Sequence, residues 1–234
     1  MSAPNVVDAL AVAAVAEIRS GMTVGLGTGR AATRGIRALA ERAAADRLDI
    51  RCVATSAASA ELAGQLGLRV DPMEGVEAVD YLFDGADEVD PQLRMIKGRG
   101  GAMTREKIVA QASGRRVYLV QAAKLVRRLG EQAPLPIEVL RFGLASTRRA
   151  LRGLGLEGPL RLTSSGAEYQ TDNGNPVIDA PLPAKVDVER LALALDGLSG
   201  VVGHGLFLGE ADLVLSEDET GAVTQHRRPP ASGG

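Results

Sequence analysis

The chain has 234 residues, of which 45% are hydrophobic, 24% are charged and 3% are aromatic. This length can bury one large core with a smaller appendage, and the composition argues against wholesale disorder and against a membrane protein. The formal net charge of -2 provides no broad electrostatic attraction to nucleic acid or to anionic lipid, so neither is expected as a partner.

The first half of the chain alternates between helix and strand signals. Asn5 followed by Asp8 predicts a helix start, and apolar residues then recur at helical spacing until Gly21. The pattern next predicts strands at 22–26, 50–54, 78–83 and 117–120, with helices between them at 31–45, through 62–66 and at 104–112. This alternation predicts an α/β fold with a parallel sheet, whose functional loops lie at the carboxyl ends of the strands.

Pro134 and Pro136 interrupt the chain, and the pattern after them changes. It predicts a strand at 137–139, a helix at 145–154, strands around the turn at 172–175, a helix at 188–195, and strands at 206–208 and 212–215 that can return to the first sheet. The predicted organisation is a larger domain at 1–130 with 205–225, a small α+β domain at 131–204, and a disordered tail at 226–234.

Cys52 is the only cysteine, which excludes an intrachain disulfide and fits a reducing compartment. Its simplest role is that of a small core residue. The apolar segment 9–16 has no basic residues ahead of it and is too short to cross a bilayer, so it is not expected to be a secretory signal. We therefore expect a cytoplasmic protein.

A glycine-rich turn from Gly25 to Arg30 follows a predicted strand and precedes a predicted helix. It fits neither common nucleotide fingerprint, because Arg30 stands where the dinucleotide motif has its third glycine and no Gly-Lys-Ser/Thr follows as in a P-loop. The turn offers backbone N–H groups at a helix N-terminus, and a plain tight turn explains it equally well. As a phosphate site it would use Gly27, Thr28, Gly29 and Arg30.

Two carboxylates, Asp84 and Asp87, follow the third predicted strand, with Gly85 and Ala86 between them. A compact turn can bring both to one crevice and separate their pKa values, which is typical of acid–base chemistry. Asp-Gly is also a common turn former, and Asp87 with its acidic neighbours fits a solvated edge. Spacing alone favours the turn interpretation.

The segment 97–101 (KGRGG) is more specific, because three glycines in four positions let the backbone approach a ligand and direct N–H groups at one oxygen. Lys97 places a positive charge beside it. Glu106 falls in the first turns of the following predicted helix, where it either points back toward the glycines or caps the helix. Capping is the simpler interpretation.

Together these residue types suit aldose–ketose isomerisation, in which a proton moves between adjacent carbons while negative charge collects on a carbonyl oxygen. A carboxylate can take the carbon-bound proton, a lysine can stabilise the enediolate, and a second acid can move protons among the sugar oxygens. Such chemistry requires no metal or organic cofactor, and none is expected.

Four motifs occur in order along the chain: 84–90 (DGADEVD), 97–110 (KGRGGAMTREKIVA), 134–139 (PLPIEV) and 171–175 (TDNGN). In this order they resemble the type A ribose-5-phosphate isomerase family, and the middle two are the most specific. The resemblance runs from the first predicted helix to the strand near Asp212. It covers nearly the whole chain.

This resemblance implies interconversion of ribose 5-phosphate and ribulose 5-phosphate through an enediolate, in the non-oxidative pentose phosphate pathway. Glu106 matches the catalytic base, Lys97 the group that stabilises the enediolate oxygen, and Asp84 the acid of ring opening and hydroxyl proton transfer. Asp87 matches a second acid of the same loop. The matching substrate-binding positions are Thr28, Ser56, Gly98, Gly100, Gly101 and the phosphate-binding Lys124.

The family fold implied is a Rossmann-like, mostly parallel sheet with helices on both faces, plus a smaller ferredoxin-like α+β domain. Family members form dimers or tetramers, so a homodimer or homotetramer is expected. The other expected partner is a small-molecule sugar phosphate.

The chain departs from the family pattern at three places. An Arg-Ala pair at 30–31 replaces the usual Ser-Thr, and the first predicted helix lacks the family lysine, having VVD at 6–8. We expect Arg30, with Lys124, to supply the lost phosphate interaction. Arg99 interrupts a run that is usually all glycine, and its side chain is expected to face solvent or a subunit neighbour.

Two other functions fit parts of the pattern. A related sugar-phosphate isomerase or deaminase of altered substrate would share the fold class but would need a different base loop. A non-catalytic sugar-phosphate sensor should carry a basic helix-turn-helix module, and no segment ahead of the predicted sheet has that length or charge. Asp84, Lys97 and Glu106 together favour an enzyme, whereas His204, between two glycines, is expected to be a turn residue.

Overall fold

The computed structural model describes residues 8–228, so the predicted cap at Asn5 and the last residues of the predicted tail, 229–234, lie outside it. The chain divides into two compact units. The first comprises the described parts of Met1–Gly85, Val109–Ala123 and Asp212–Gly234, and the second comprises Ala86–Ile108 and Lys124–Ala211. The boundaries of the predicted domains, 1–130 with 205–225 and 131–204, differ from the boundaries of these two units. The domain division therefore stays a prediction.

In chain order, the helices and strands of the described residues are α1 (Ala9–Val15), β1 (Thr23–Leu26), α2 (Arg30–Asp46), β2 (Arg51–Ala54), α3 (Ala57–Gln65), β3 (Val79–Gly85), β4 (Glu88–Val89), β5 (Met95–Ile96), α4 (Met103–Ala112), β6 (Ser113–Gln121), β7 (Leu135–Val139), α5 (Leu144–Gly153), β8 (Val177–Ala180), α6 (Val188–Asp196), β9 (Val201–His204), β10 (Leu206–Phe207), β11 (Leu213–Glu217) and β12 (Val223–Arg227). Two short 3₁₀ turns, Met73–Gly75 and Ala122–Lys124, lie between them.

A six-stranded sheet in the order β12-β11-β6-β3-β1-β2 forms the centre of the first unit. Neighbouring strands run parallel except β12, which pairs antiparallel with β11. Its core joins apolar side chains of α1, α2 and α3 to the strands, among them Leu10, Ile36, Ala63 and Phe83. This confirms the predicted mostly parallel sheet with helices, and a continuous buried run such as TVGL in β1 is typical of a strand covered on both faces.

Helix α1 is shorter than the predicted helix, which was expected to run to Gly21. The Asp8 carboxylate caps its start by accepting the Ala11 N–H at 2.9 Å, and Arg34 binds the same carboxylate at 2.6 Å. At the other end, the Arg42 guanidinium donates to the carbonyls of Val15 and Ile18. The Ile18 carbonyl therefore bonds to a side chain where a longer helix would use an amide, and the Val15 carbonyl accepts both Arg42 and the Ile18 N–H, the latter at 3.2 Å.

The second unit contains two three-stranded antiparallel sheets, in the orders β10-β5-β4 and β8-β7-β9. Helices α5 and α6 pack on the latter through Leu151, Leu191 and Leu195. The prediction that 206–208 returns to the first sheet is wrong, because β10 pairs with β5 of this unit. A two-residue strand is too short to show a period that would identify its partner.

Two further sequence predictions differ from the structure. The strand expected after the turn at 172–175 is β8, whereas before this turn isolated bridges, such as that from Gln170 to Pro176, stand where a strand was expected. The tail predicted to be disordered from 226 begins in β12, where His226 pairs with Val214 and its ring lies 2.8 Å from Ser216 Oγ. Because β12 has mostly exposed polar side chains, it lacks the apolar alternation that predicts a strand.

Candidate active site

In the first unit, the turn after β1 and the end of β3 meet at Asp84. The fully buried carboxylate of Asp84 accepts the Thr28 N–H at 3.0 Å and the Gly85 N–H at 2.7 Å. Gly27 is required by this approach, since a Cβ there would lie 2.1 Å from Asp84 Oδ1. The glycine-rich turn therefore packs directly against the acid that the sequence singled out.

Hydroxyl groups at the ends of β1 and β2 lie beside this carboxylate turn. Thr28 Oγ1 lies 2.7 Å from Thr55 Oγ1, and Ser59 Oγ donates to the Gly27 carbonyl at 2.7 Å. Ser56 is buried, and its hydroxyl caps α3 by accepting the Ser59 N–H at 3.2 Å. Thr55 was missed as a site candidate, although its place at a strand end is the same signal that identified Thr28.

Arg30 is the first residue of α2 and is exposed. The preceding Gly29 stands at the N-cap position with φ of 93°, a conformation that glycine adopts without strain. The guanidinium of Arg30 therefore lies at a helix N-terminus, where backbone amides and a positive charge favour an anion.

A buried ion pair lies in the second unit between Lys97 and Glu106. The two side chains are 2% and 4% exposed, and Lys97 Nζ lies 3.5 Å from Glu106 Oε2. The Lys97 N–H donates to the Gly205 carbonyl at 2.9 Å, and Nζ lies 5.5 Å from the centre of the Phe207 ring. Glu106 is in the first turn of α4, and its carboxylate faces a buried cation, so it does more than cap a helix.

The glycine-containing loop at 98–101 is closed by Asp87. The Asp87 carboxylate accepts the Arg99 N–H at 2.9 Å, while the Asp87 N–H donates to the Ile96 carbonyl at 2.8 Å. Gly98 and Gly101 have φ of 102° and 78°, which lets the loop fold back on itself. Arg99 is exposed, as expected from the sequence.

The sequence-predicted residues thus form one group in each unit. Thr28, Gly27 and Asp84 meet in the first, and Asp87, the 98–101 loop, Lys97 and Glu106 belong to the second. Lys124 is half-buried at the end of the Ala122–Lys124 turn, in the second unit.

Glu138 connects three of the sequence motifs and was missed as a functional candidate. It is fully buried in β7 and accepts hydrogen bonds from Thr104 Oγ1, from Thr171 Oγ1 at 2.8 Å and from Asn175 Nδ2 at 2.9 Å, with Asn173 Nδ2 at 3.1 Å. A carboxylate that satisfies its oxygens with uncharged donors holds those donors firmly. A glutamate within a predicted buried strand was the signal that could have found it.

His204 is not the turn residue that the sequence predicted, because it ends β9 and is 1% exposed. Its Nε2 lies 3.0 Å from Asp196 Oδ1, and its Nδ1 accepts the Leu206 N–H at 3.2 Å and lies 3.4 Å from Lys107 Nζ. Burial, together with the Lys107 charge, lowers the pKa of His204 to about 4. Burial likewise lowers the pKa of Lys107.

Two kinds of feature are absent from residues 8–228. No cluster of three or more His, Cys, Asp or Glu side chains there is arranged to hold a metal ion. In the same part of the chain, no helix combines the length and apolar character needed to cross a membrane.

The chain is similar to known proteins over most of its length. Residues 51–221 match the family model described as ribose 5-phosphate isomerase A (phosphoriboisomerase A). The ribose-5-phosphate isomerase A of Roseiflexus sp. (strain RS-1) is 46% identical over 214 residues, covering 91% of this chain and 92% of that protein. That of Dinoroseobacter shibae is 43% identical over 217 residues, covering 90% and 83%.

Solved structures are similar over the same extent. The ribose 5-phosphate isomerase A of Methanocaldococcus jannaschii has a TM-score of 0.87 at 36% identity, covering 93% of this chain and 96% of that one. A D-ribose-5-phosphate isomerase in complex with phospho-erythronic acid has a TM-score of 0.89 at 34% identity, covering 94% and 97%. The chain belongs to the ribose 5-phosphate isomerase A family.

Proposed function

We propose that this protein interconverts ribose 5-phosphate and ribulose 5-phosphate through an enediolate, as a step of pentose phosphate metabolism. The observation that carries the proposal is the buried Lys97–Glu106 pair, with 3.5 Å between Nζ and Oε2. It places a proton acceptor and a fixed positive charge a few ångströms apart. An enediolate requires both, one for the carbon-bound proton and one for the oxygen that becomes negative.

In the proposed reaction, Glu106 removes the proton from C2 of the open-chain aldose and returns it to C1. Lys97 donates to the oxygen on which negative charge develops, and burial of its ammonium strengthens that interaction. Asp84 assists ring opening and moves the hydroxyl proton. Asp87 is the second acid of its loop, and its bond to the Arg99 N–H supports a part in shaping that loop.

The residues proposed to bind substrate differ in how they do so. Thr28 offers a hydroxyl, and Gly29 and Arg30 offer their amides, together with the Arg30 guanidinium, at the start of α2. Gly27 lets this turn pack against Asp84, and its N–H donates to the Phe83 carbonyl at 2.9 Å. Gly98, Gly100 and Gly101 offer a backbone without side chains, and Lys124 offers an ammonium. Ser56 lies at the start of α3, where its hydroxyl already caps the helix.

The proposal is tested by mixing the purified chain with ribose 5-phosphate in the presence of EDTA and measuring ribulose 5-phosphate directly. Turnover is expected, and it would also establish that no dissociable metal is needed. Absence of turnover, with ammonia release from an amino-sugar phosphate instead, would favour a deaminase. Binding of ribose 5-phosphate without turnover would favour a sensor.

We also propose that the chain is a cytoplasmic homodimer or homotetramer. Free, buried Cys52 is compatible with a reducing compartment. Phe142 and Leu193 are large apolar side chains that are 93% and 73% exposed, and we propose them as positions that contact a second copy. Light scattering during size-exclusion chromatography should give a dimer or tetramer mass, and Phe142→Asp should lower it; a monomeric mass for the unaltered chain contradicts the proposal.

A further inference from the structure

Three consecutive backbone carbonyls of the glycine loop are held by two side chains from a distant part of the second unit. Arg161 Nη1 donates to the Gly98 carbonyl at 2.9 Å and to the Arg99 carbonyl at 3.0 Å. The Tyr169 hydroxyl donates to the Gly100 carbonyl at 3.0 Å. We call Arg161 and Tyr169 the carbonyl clamp.

The carbonyl clamp is itself rigidly held. Arg161 Nε and Nη2 donate to the two oxygens of Asp179 at 2.9 and 2.5 Å, and the Arg161 side chain is only 13% exposed. Its guanidinium carbon lies 5.5 Å from the centre of the Tyr169 ring. A guanidinium that is bound on one edge by a carboxylate and packed near an aromatic ring has little rotational freedom. The direction of the Arg161 Nη1 donor is therefore fixed.

Tyr169 also explains why position 101 is glycine. A Cβ at Gly101 would lie 2.2 Å from the Tyr169 hydroxyl, besides having to adopt φ of 78°. The loop and the tyrosine therefore fit together only without a side chain at this position. Glycines free the loop backbone to adopt many conformations, and the clamp selects one of them.

Holding the carbonyls sets the direction of the neighbouring amides. In a planar trans peptide the C=O of one residue and the N–H of the next point in opposite directions, and no peptide bond of the described chain is cis. The N–H groups of Arg99, Gly100 and Gly101 therefore each point opposite to the preceding carbonyl, which the clamp holds. Arg99 donates to Asp87 Oδ2 at 2.9 Å and Gly101 to the Gly98 carbonyl at 2.9 Å.

Of these three amides, that of Gly100 donates to no acceptor among residues 8–228, and Gly100 is exposed. We propose that Arg161 and Tyr169 are positioning residues of the isomerisation, which fix the loop so that the Gly100 N–H donates to a substrate oxygen as that oxygen becomes negative. This inference rests on the proposed function, in which the glycine loop binds the sugar. A donor that is oriented beforehand stabilises developing charge without reorganising during the reaction.

The test compares Arg161→Lys and Tyr169→Phe with the control Arg141→Lys. Arg141 also pairs with a glutamate in this unit, Glu168, but its side chain is 59% exposed and it does not hold the loop. Tyr169→Phe removes one hydroxyl and keeps the ring, so it stays informative if Arg161→Lys folds poorly. Each variant is assayed for kcat and KM at a temperature where circular dichroism shows it fully folded.

We expect Arg161→Lys and Tyr169→Phe each to lower kcat about tenfold or more, because small misplacements of a transition-state donor are costly. KM for ribose 5-phosphate should change by less than about threefold, since the lost interaction belongs to the transition state. Affinity for phospho-erythronic acid, whose carboxylate resembles the two oxygens of an enediolate, should fall in parallel with kcat. Arg141→Lys should leave all three quantities unchanged.

A merely structural role for the clamp would lower the melting temperature and leave kcat and inhibitor affinity of the folded variants unaltered, and that result overturns the inference. Failure of the proposed function has a different signature, because the unaltered chain would then not isomerise ribose 5-phosphate. If the unaltered chain is active and Glu106→Gln is not, while both clamp variants keep full kcat, the clamp inference alone fails.

Discussion

Lys97 Nζ lies 3.5 Å from Glu106 Oε2, and neither side chain is more than 4% exposed. Opposite charges in a buried environment stabilise each other, and the removal of one leaves the other without compensation. The same pair also combines a base with a positive charge. The roles of the two residues can therefore be distinguished by variants that keep the shape of each side chain.

Glu106→Gln keeps the volume of the side chain but removes the proton acceptor. We expect kcat for ribose 5-phosphate to fall by about 10³-fold, within the range typical of general bases, while substrate binding is kept. Steady-state kinetics and calorimetric titration of ribose 5-phosphate measure the two effects. Glu189→Gln, a change at a 57% exposed glutamate of the same unit, is the control, and full activity in Glu106→Gln would contradict its role as the base.

Arg30→Ala should raise KM for ribose 5-phosphate about tenfold or more with a smaller change in kcat, because a charge-assisted contact to phosphate is lost far from the reacting carbons. The control is Arg37→Ala, which removes another exposed arginine of α2 and so matches the change in net charge. The comparison is made at constant ionic strength. An unchanged KM in Arg30→Ala refutes the phosphate assignment.

Thr104→Val and Thr171→Val each remove one hydroxyl donor from Glu138. Both should lower the free energy of unfolding by about 1–3 kcal/mol, the cost of losing a hydrogen bond to a buried charged group. Thr104 lies in the first turn of α4 with Glu106, so only Thr104→Val should also lower kcat, by about tenfold. Urea unfolding and kinetics check this, and equal kcat in the two variants would show that Glu138 does not act through α4.

Acid should destabilise the fold through His204. Its pKa is lowered from 6.5 to about 4, so between these values the unfolded chain binds a proton that the folded chain does not. The contribution of neutral His204 to the free energy of unfolding is therefore fully present above pH 6.5 and is lost as the pH falls toward 4. The whole contribution is on the order of a few kcal/mol. The charged groups facing the ring are Lys107 and Asp196.

The measurement is urea unfolding at pH 5 and at pH 7, for the unaltered chain and for His204→Gln. The glutamine can still accept and donate hydrogen bonds but does not titrate. We expect the loss of stability between pH 7 and pH 5 to be smaller in His204→Gln. An identical loss in both proteins would show that His204 is protonated as easily in the folded state as in the unfolded state.

Much of the fold could be predicted because its signals are local. The buried runs of β1, β3 and β6 and the helical spacing of α2 and α6 are visible in short windows, and a helix between successive strands implies a crossover connection to a parallel neighbour. Strands β4, β5 and β10 have two residues each, too few for a period, so their sheet was missed. Glu138 was missed for a related reason, since its partners lie 33 to 37 residues away along the chain.

The sequence by itself determined the parallel sheet and the family, and it predicted the roles of Asp84, Lys97 and Glu106, because these depend on residue types and their order. Only the tertiary structure decided which groups those residues meet. Tertiary packing brings Lys97 within 3.5 Å of Glu106. It also lets Arg161 donate to the carbonyl of Gly98, 63 residues away along the chain. Directions of carbonyls and amides follow from those long-range contacts, and residue identity alone does not encode them.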